Sequence, residues 1–305
     1  MISKPVKKLL IASVTLVTTA LVGGGITLWY FQDRLIYFPA APDQFPSQNP
    51  YGYREPIEAG MPYEDVKIKT SDNLNLHGWL IKTKTPLESP TLVIFQGNAG
   101  NIGYRIPLLR DLHRGCNANT LIVAYRGYSN SEGKPSEKGL QLDSVAIMDH
   151  VFSRKDIDTS KIYVLGSSLG GAVSIYALSR AKKYNVAGLI LENTFTSMGE
   201  MVDQVMPAVS KLKGLVLANH WPSIDLIGSI KSPILFISGQ EDELIPPEQM
   251  KRLYEAAKDS PLKEMIKVET GTHNDTWYQG GKSLINKIAE WMSKAELMRN
   301  ESPKL

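Results

Sequence analysis

The segment Lys161-Ile-Tyr-Val-Leu-Gly-Ser-Ser-Leu-Gly-Gly-Ala-Val-Ser-Ile-Tyr-Ala-Leu-Ser-Arg180 constrains this chain more than any other. Lys161 to Leu165 is short, apolar and rich in β-branched and aromatic side chains, which predicts a buried strand; the run from Leu169 onward predicts an apolar helix. Between them, Gly166-Ser167-Ser168-Leu169-Gly170 is a G-x-S-x-G. In a tight strand-to-helix turn the central serine takes a strained backbone that lifts its hydroxyl out of the fold. The flanking glycines remove Cβ atoms that would clash. Three fixed positions also recur by chance, so a glycine-serine turn without chemistry is the plain alternative.

The rest of the chain supplies the context. Strand-like runs occupy residues 63–70, 77–83, 91–96, 120–125, 161–165, 186–191, 233–238 and 264–269. Helical patterns at 102–114, 136–154, 169–182, 247–258 and 282–298 separate most of them. Strands alternating with helices of this length predict an α/β fold, a mostly parallel twisted sheet with helices on both faces. Active sites of such sheets lie at the carboxyl ends of the strands. At 305 residues, 43% hydrophobic and 21% charged, the chain accommodates one large α/β domain.

Several function classes drop out. Lys4, Lys7, Lys8 and Arg34 against Asp33 account for the whole net charge of +3, so the remainder is balanced and no nucleic-acid partner is indicated. The single cysteine, Cys116, cannot form an internal disulfide and reads as a small buried apolar residue. No Cys/His cluster has metal-ligand spacing, there is no Walker-type loop, and Gly97-Asn-Ala-Gly-Asn-Ile-Gly103 lacks the dinucleotide spacing. Neither metal nor organic cofactor is expected.

Residues 9–31 are uncharged and mostly apolar, and as a helix would span roughly 34 Å, enough for a hydrocarbon core of about 30 Å. A transmembrane signal-anchor is therefore expected over 9–31, its apolar part being longer than the usual h-region of a cleaved signal peptide. Three lysines precede it and Gln32-Asp33-Arg34 follows, which places a short 1–8 segment in the cytoplasm of an endomembrane such as the ER, or of the plasma membrane. Residues 32–62 carry six prolines from Pro39 to Pro62 and read as an extended spacer. The catalytic domain is expected over 63–298 and a tail over 299–305.

Within that domain, 197–230 is an insertion. Met198, Met201, Val202, Val205, Met206, Val209, Leu212, Val216 and Leu217 recur in it at helical spacing. Such a methionine-rich stripe suits a lid over an acyl-chain pocket, or an amphipathic helix packed on the core, which is the commoner arrangement.

A serine hydroxyl needs a base to become a nucleophile, and the base needs a carboxylate to fix its tautomer. Of the five histidines, only His273 lies in a loop after the last predicted strand and before the last helix. His77, His113, His150 and His220 read as ordinary core or surface residues. For the acid, a buried strand from Pro233 runs into Gly239-Gln-Glu-Asp-Glu, whose Asp242 is the choice; Glu192, after an earlier strand, is the fallback. The oxyanion of an acyl-transfer intermediate would be held by backbone N–H groups, assigned to Leu169 and to Asn98 in the glycine-containing loop after the third strand.

These motifs in series resemble the α/β-hydrolase domain family. They are Gly97 to Gly103, Ala124-Tyr-Arg-Gly-Tyr-Ser129 with Ser131-Glu-Gly133, the Gly166 to Gly171 elbow, Glu192-Asn-Thr-Phe-Thr196, Ser238 to Pro246 and Gly271-Thr-His273. More narrowly they are similar to its membrane-anchored bud-emergence-type serine hydrolases. The resemblance runs from Tyr63 to the final helix, and the N-terminal apolar run followed by Leu35-Ile-Tyr-Phe-Pro39 shares it.

It implies an α/β-hydrolase fold, a Ser168, Asp242, His273 triad, and hydrolysis of carboxylic esters or thioesters on acylated lipids or proteins, deacylation of palmitoylated proteins included. Many such relatives carry His where this chain has Gln96. A catalytically silent membrane-anchored scaffold and a serine peptidase are the alternatives on the same fold. His220-Trp-Pro-Ser-Ile-Asp225 also matches an H-x-x-x-x-D acyltransferase pattern, a spacing common by coincidence.

Overall fold

The computed structural model describes residues 23–180 and 183–301. Eight strands form one sheet: β1 (Glu64–Lys69), β2 (Asn75–Ile81), β3 (Thr91–Phe95), β4 (Asn119–Val123), β5 (Ile162–Ser167), β6 (Gly188–Glu192), β7 (Ile234–Gly239) and β8 (Lys263–Val268). Their spatial order is β1-β2-β4-β3-β5-β6-β7-β8. β1 pairs antiparallel with β2, and β2 antiparallel with β4; every later pairing is parallel.

The side chains explain the order of layers. Every residue of β3, β4, β6 and β7 is buried, as required of parallel strands covered on both faces. β1 alternates, burying Val66 and Ile68 and exposing its neighbours, as suits a strand at the sheet's edge. Among the described residues the helices are α1 (23–36), α2 (Ile106–Gly115), α3 (Glu137–Ser153), α4 (Leu169–Arg180), α5 (Met198–Val205), α6 (Lys213–Val216), α7 (Ser223–Leu226), α8 (Pro247–Ala256) and α9 (Thr276–Glu301). α2 packs with α9, while α3, α4, α7 and α8 pack in succession, so the sheet is covered on both faces.

The expected helix at 102–114 starts as a tight 3-10 turn, Ile102–Arg105, capped by Asn101, whose side-chain oxygen accepts from Gly103 N–H. The last helix is interrupted at Gly281 (φ 47°, ψ −144°), one residue before its expected start.

Residues 37–62 are not a free spacer. Tyr37, Pro46, Asn49 and Met61 are buried against the domain, Phe38 bridges to Ala99, and Asn101 donates to the Asp43 carbonyl at 2.8 Å. Prolines fix the turns of this segment, but buried side chains and paired backbone dock it. Nor is the insertion one helix. It breaks into α5, a turn at Ser210–Leu212, α6 and α7; Pro207, with no N–H to donate, follows the end of α5, and Pro222 stands at the start of α7.

The membrane helix expected over 9–31 lies, up to residue 22, outside the described residues; 23–31 belong to α1. Among the described residues no helix is long and apolar enough to cross a membrane.

Candidate active site

β5 lies in the middle of the sheet and ends at the carboxyl edge, where Ser168 joins it to α4. Ser168 has φ of +52°, the left-handed strain expected of a serine turned sharply out of the fold. Two glycines make the turn possible. A Cβ on Gly166 would lie 2.4 Å from the Gly170 carbonyl, and one on Gly170 would lie 1.9 Å from the Phe95 carbonyl on β3. The turn is fastened by Ser168 N–H donating to the Glu192 carbonyl at 2.9 Å and by Thr194 Oγ1 donating to the Ser168 carbonyl at 2.7 Å.

The loops after β7 and β8 bring two more groups to this point. His273 Nε2 is 3.1 Å from Ser168 Oγ, and His273 Nδ1 is 2.8 Å from Asp242 Oδ2. Asp242 is buried, and its second oxygen accepts from the N–H groups of Leu244 and Ile245 at 2.9 and 2.7 Å. The carboxylate is thereby held in one orientation. Asn193, next to Glu192, ties this corner together: its side-chain amide donates to Thr272 O and Thr276 Oγ1, and its oxygen accepts from Gly239 N–H. A hydroxyl, an imidazole and a fixed carboxylate in this series can pass the serine proton to the ring and steady the resulting charge.

Of the residues expected here from the sequence, Ser168, His273 and Asp242 are brought together. The loop carrying Asn98 passes close by, since a Cβ on Gly97 would be 3.7 Å from Ser168 Cβ. Leu169 and Asn98 line the same cavity as Ser168. The Asn98 side chain is occupied elsewhere, donating to the Ile36 carbonyl and accepting from Tyr128 Oη at 3.1 Å.

Glu192, the fallback acid, is not the partner of His273. It is buried beside Ser167, whose hydroxyl partly offsets the burial that raises its carboxyl pKa. Gln96 is buried too, and neither polar atom of its side-chain amide has a partner among the described residues.

The other histidines stand apart. His77 pairs with Asp65 at 2.8 Å and His113 with the Ala118 carbonyl at 2.8 Å, while His220 and Asp225 are exposed and do not line the cavity. Cys116 is half-buried, and its thiol is pushed up to about 11 by burial. Among the described residues no group of three His, Cys, Asp or Glu could hold a metal ion.

Ser168 and His273 open into a cavity of about 930 Å³. Met198, Met201, Val202, Val205, Met206, Val209, Val216 and Leu217 of the insertion line it, so their apolar stripe roofs a cavity and is not simply packed on the core. Leu28, Gln32, Leu35 and Ile36 of α1 form a further wall, which sequence reasoning missed. Their spacing of four, three and one is a helical face, but it was hidden in and just beyond a run that is apolar on all sides.

Arg105 was also missed; it lines the cavity, donates to the Ala99 carbonyl at 2.6 Å, and its pKa is lowered by burial.

A glycine-flanked, strained serine at the carboxyl edge of a mostly parallel sheet defines an α/β hydrolase, and a family model described as alpha/beta hydrolase fold matches residues 90–220. The chain is 36% identical to Protein bem46 of Schizosaccharomyces pombe, the match covering 88% of this chain and 88% of that one. It is also 36% identical to a Saccharomyces cerevisiae protein called uncharacterized membrane protein YNL320W, over 90% of this chain and 93% of that one. The chain belongs to the α/β-hydrolase family, among its bem46-type members. Among solved structures it is similar in fold to the esterase Pf2001 of Pyrococcus furiosus, with a TM-score of 0.67 at 21% identity over 79% of this chain and 94% of that one.

Proposed function

We propose that this hydrolase is a membrane-anchored serine hydrolase of carboxylic esters or thioesters. The observation that carries the reading is the hydrogen-bonded series from Ser168 Oγ through His273 to Asp242, with contacts of 3.1 and 2.8 Å. In the proposed reaction His273 Nε2 takes the Ser168 proton as Oγ attacks the acyl carbon. Asp242 fixes the ring with its Nδ1 proton toward the carboxylate and stabilises the imidazolium. The backbone N–H groups of Leu169 and Asn98 receive the oxyanion. His273 then protonates the leaving alcohol or thiol, and water, deprotonated by the same ring, releases the acyl group from Ser168.

The substrate class is an acyl lipid or acyl protein. In support, the cavity is roofed by flexible methionines and aliphatic residues able to follow a long chain. The anchor is the apolar 9–31 run with its preceding lysines, a reading that agrees with the membrane designation of the yeast relative. The charge bias puts residues 1–8 in the cytoplasm and the domain on the far side of the membrane.

A fluorophosphonate probe tests the chemistry, because it reacts with activated serines. Membranes carrying the unaltered protein are expected to label, and those carrying Ser168→Ala or His273→Ala are not. A folded, unaltered protein that stays unlabelled would sink the proposal.

A further inference from the structure

Among the exposed residues that line the cavity, Leu35, Phe38, Val205, Met206, Leu244 and Tyr278 are large and apolar or aromatic, and Asn274 is polar. The exposed lining is therefore mainly apolar, with the part-exposed Arg110, Asp111 and Lys213 among its charged members. The apolar surface continues outward. Leu215 on α6 is 83% exposed, Leu212 beside it 43%, and Ile26, Trp29 and Tyr30 on α1 are exposed as well.

Large exposed apolar side chains in this number mark a surface meant to be covered. What covers it follows from where α1 leads. A Cβ on Gly25 would lie 3.4 Å from Val216 Cγ1, and Gln32 accepts from the N–H groups of Ala218 and Asn219 at 2.8 and 3.0 Å while donating to the Val216 carbonyl at 3.2 Å. α1 is thus fastened, chiefly through Gln32, to the segment that bears Leu212 and Leu215. Directly upstream of it lies the uncharged run from Leu9 to Val22. Trp29 and Tyr30 have the amphipathic character that favours the headgroup level, and Lys211 adds a positive charge beside the two leucines.

We propose that the cavity mouth is seated on the lipid bilayer, with α1 and the 205–217 segment as the lipid-facing surface, so that a long acyl chain passes from the bilayer into the cavity without crossing water. This rests on the anchored-hydrolase reading above and adds the route by which its substrate arrives.

The test uses the full-length protein in phosphatidylcholine vesicles and the double variant Leu212→Asp/Leu215→Asp. Both leucines are exposed and neither lines the cavity, so the fold and the chemistry should be untouched. Two fluorogenic esters are compared, a palmitate dissolved in the vesicles and a water-soluble acetate. The palmitate rate is expected to fall by about tenfold or more, since two apolar side chains leave the lipid, with the acetate rate unchanged. Equal palmitate rates, or equal losses on both esters, would overturn the proposal.

A second measurement does not depend on turnover. In Leu215→Trp, brominated phosphatidylcholine is expected to quench the added fluorescence; absence of quenching, or quenching replaced by a dimer formed through Leu215, overturns the proposal. An unaltered protein that cleaves neither ester yet shows the quenching would count against the hydrolase reading while leaving the lipid contact standing.

Discussion

Asp242 and Glu192 are both buried carboxylates near the His273 ring, and their surroundings give them opposite tasks. Asp242 has one oxygen on His273 Nδ1 and the other on two backbone N–H groups, which fix it in the orientation that holds the ring. Glu192 meets burial first, which favours its neutral form. Asp242→Asn is expected to lower kcat by on the order of 10⁴-fold, the imidazole being left in the wrong tautomer. Glu192→Gln should retain most of the activity.

The stability of Glu192→Gln should also show a sign. A carboxyl whose pKa is raised on folding binds its proton more tightly in the native state, so the unaltered protein loses stability as pH rises from the ordinary carboxylate range toward the raised value. The glutamine variant should lack that loss, and thermal melts between pH 4 and 8 would reveal it. The place of Asp242 in the Gly239-Gln-Glu-Asp turn pointed to it, but Glu192 also followed a strand, and only the hydrogen bonds separate them.

Among the elements, the strands were legible because each is a short β-branched or aromatic run bounded by glycine, proline or polar residues. The insertion was half legible: its apolar period was visible, and so was Pro207, which follows the end of α5. What it faces was not, since core and cavity demand the same side chains. Some joints between elements are made by charge, and sequence periodicity does not show them.

Arg126 binds Asp143 on α3 at 2.8 Å and Asp72, in the β1–β2 turn, at 2.8 Å. Asp143 is fully buried, so Arg126→Leu strands a charge or forces its neutralisation. A loss of about 3–5 kcal/mol is expected, measurable by urea denaturation. Asp72, whose carboxyl is held at about 2 by the Arg126 guanidinium and then by Thr70, stabilises above the ordinary aspartate pKa near 4. That contribution, modest because Asp72 is partly exposed, fades as pH falls through about 2.

At the scale of the whole molecule, alternation of strands and helices announced a mostly parallel sheet, while the order β1-β2-β4-β3 depends on crossovers that no local signal encodes. Composition gave no hint that the segment next to the expected anchor helps to build the cavity. That segment has a practical corollary. Hydrolases with an N-terminal anchor are commonly trimmed to obtain a manageable domain, and here a cut after Ile36 would remove Leu28, Gln32, Leu35 and Ile36 from the cavity wall. It would also leave the N–H groups of Ala218 and Asn219 without their acceptor on Gln32. A trimmed domain is a differently shaped vessel, and its preferences among acyl chains would describe that vessel and not the protein as the cell makes it.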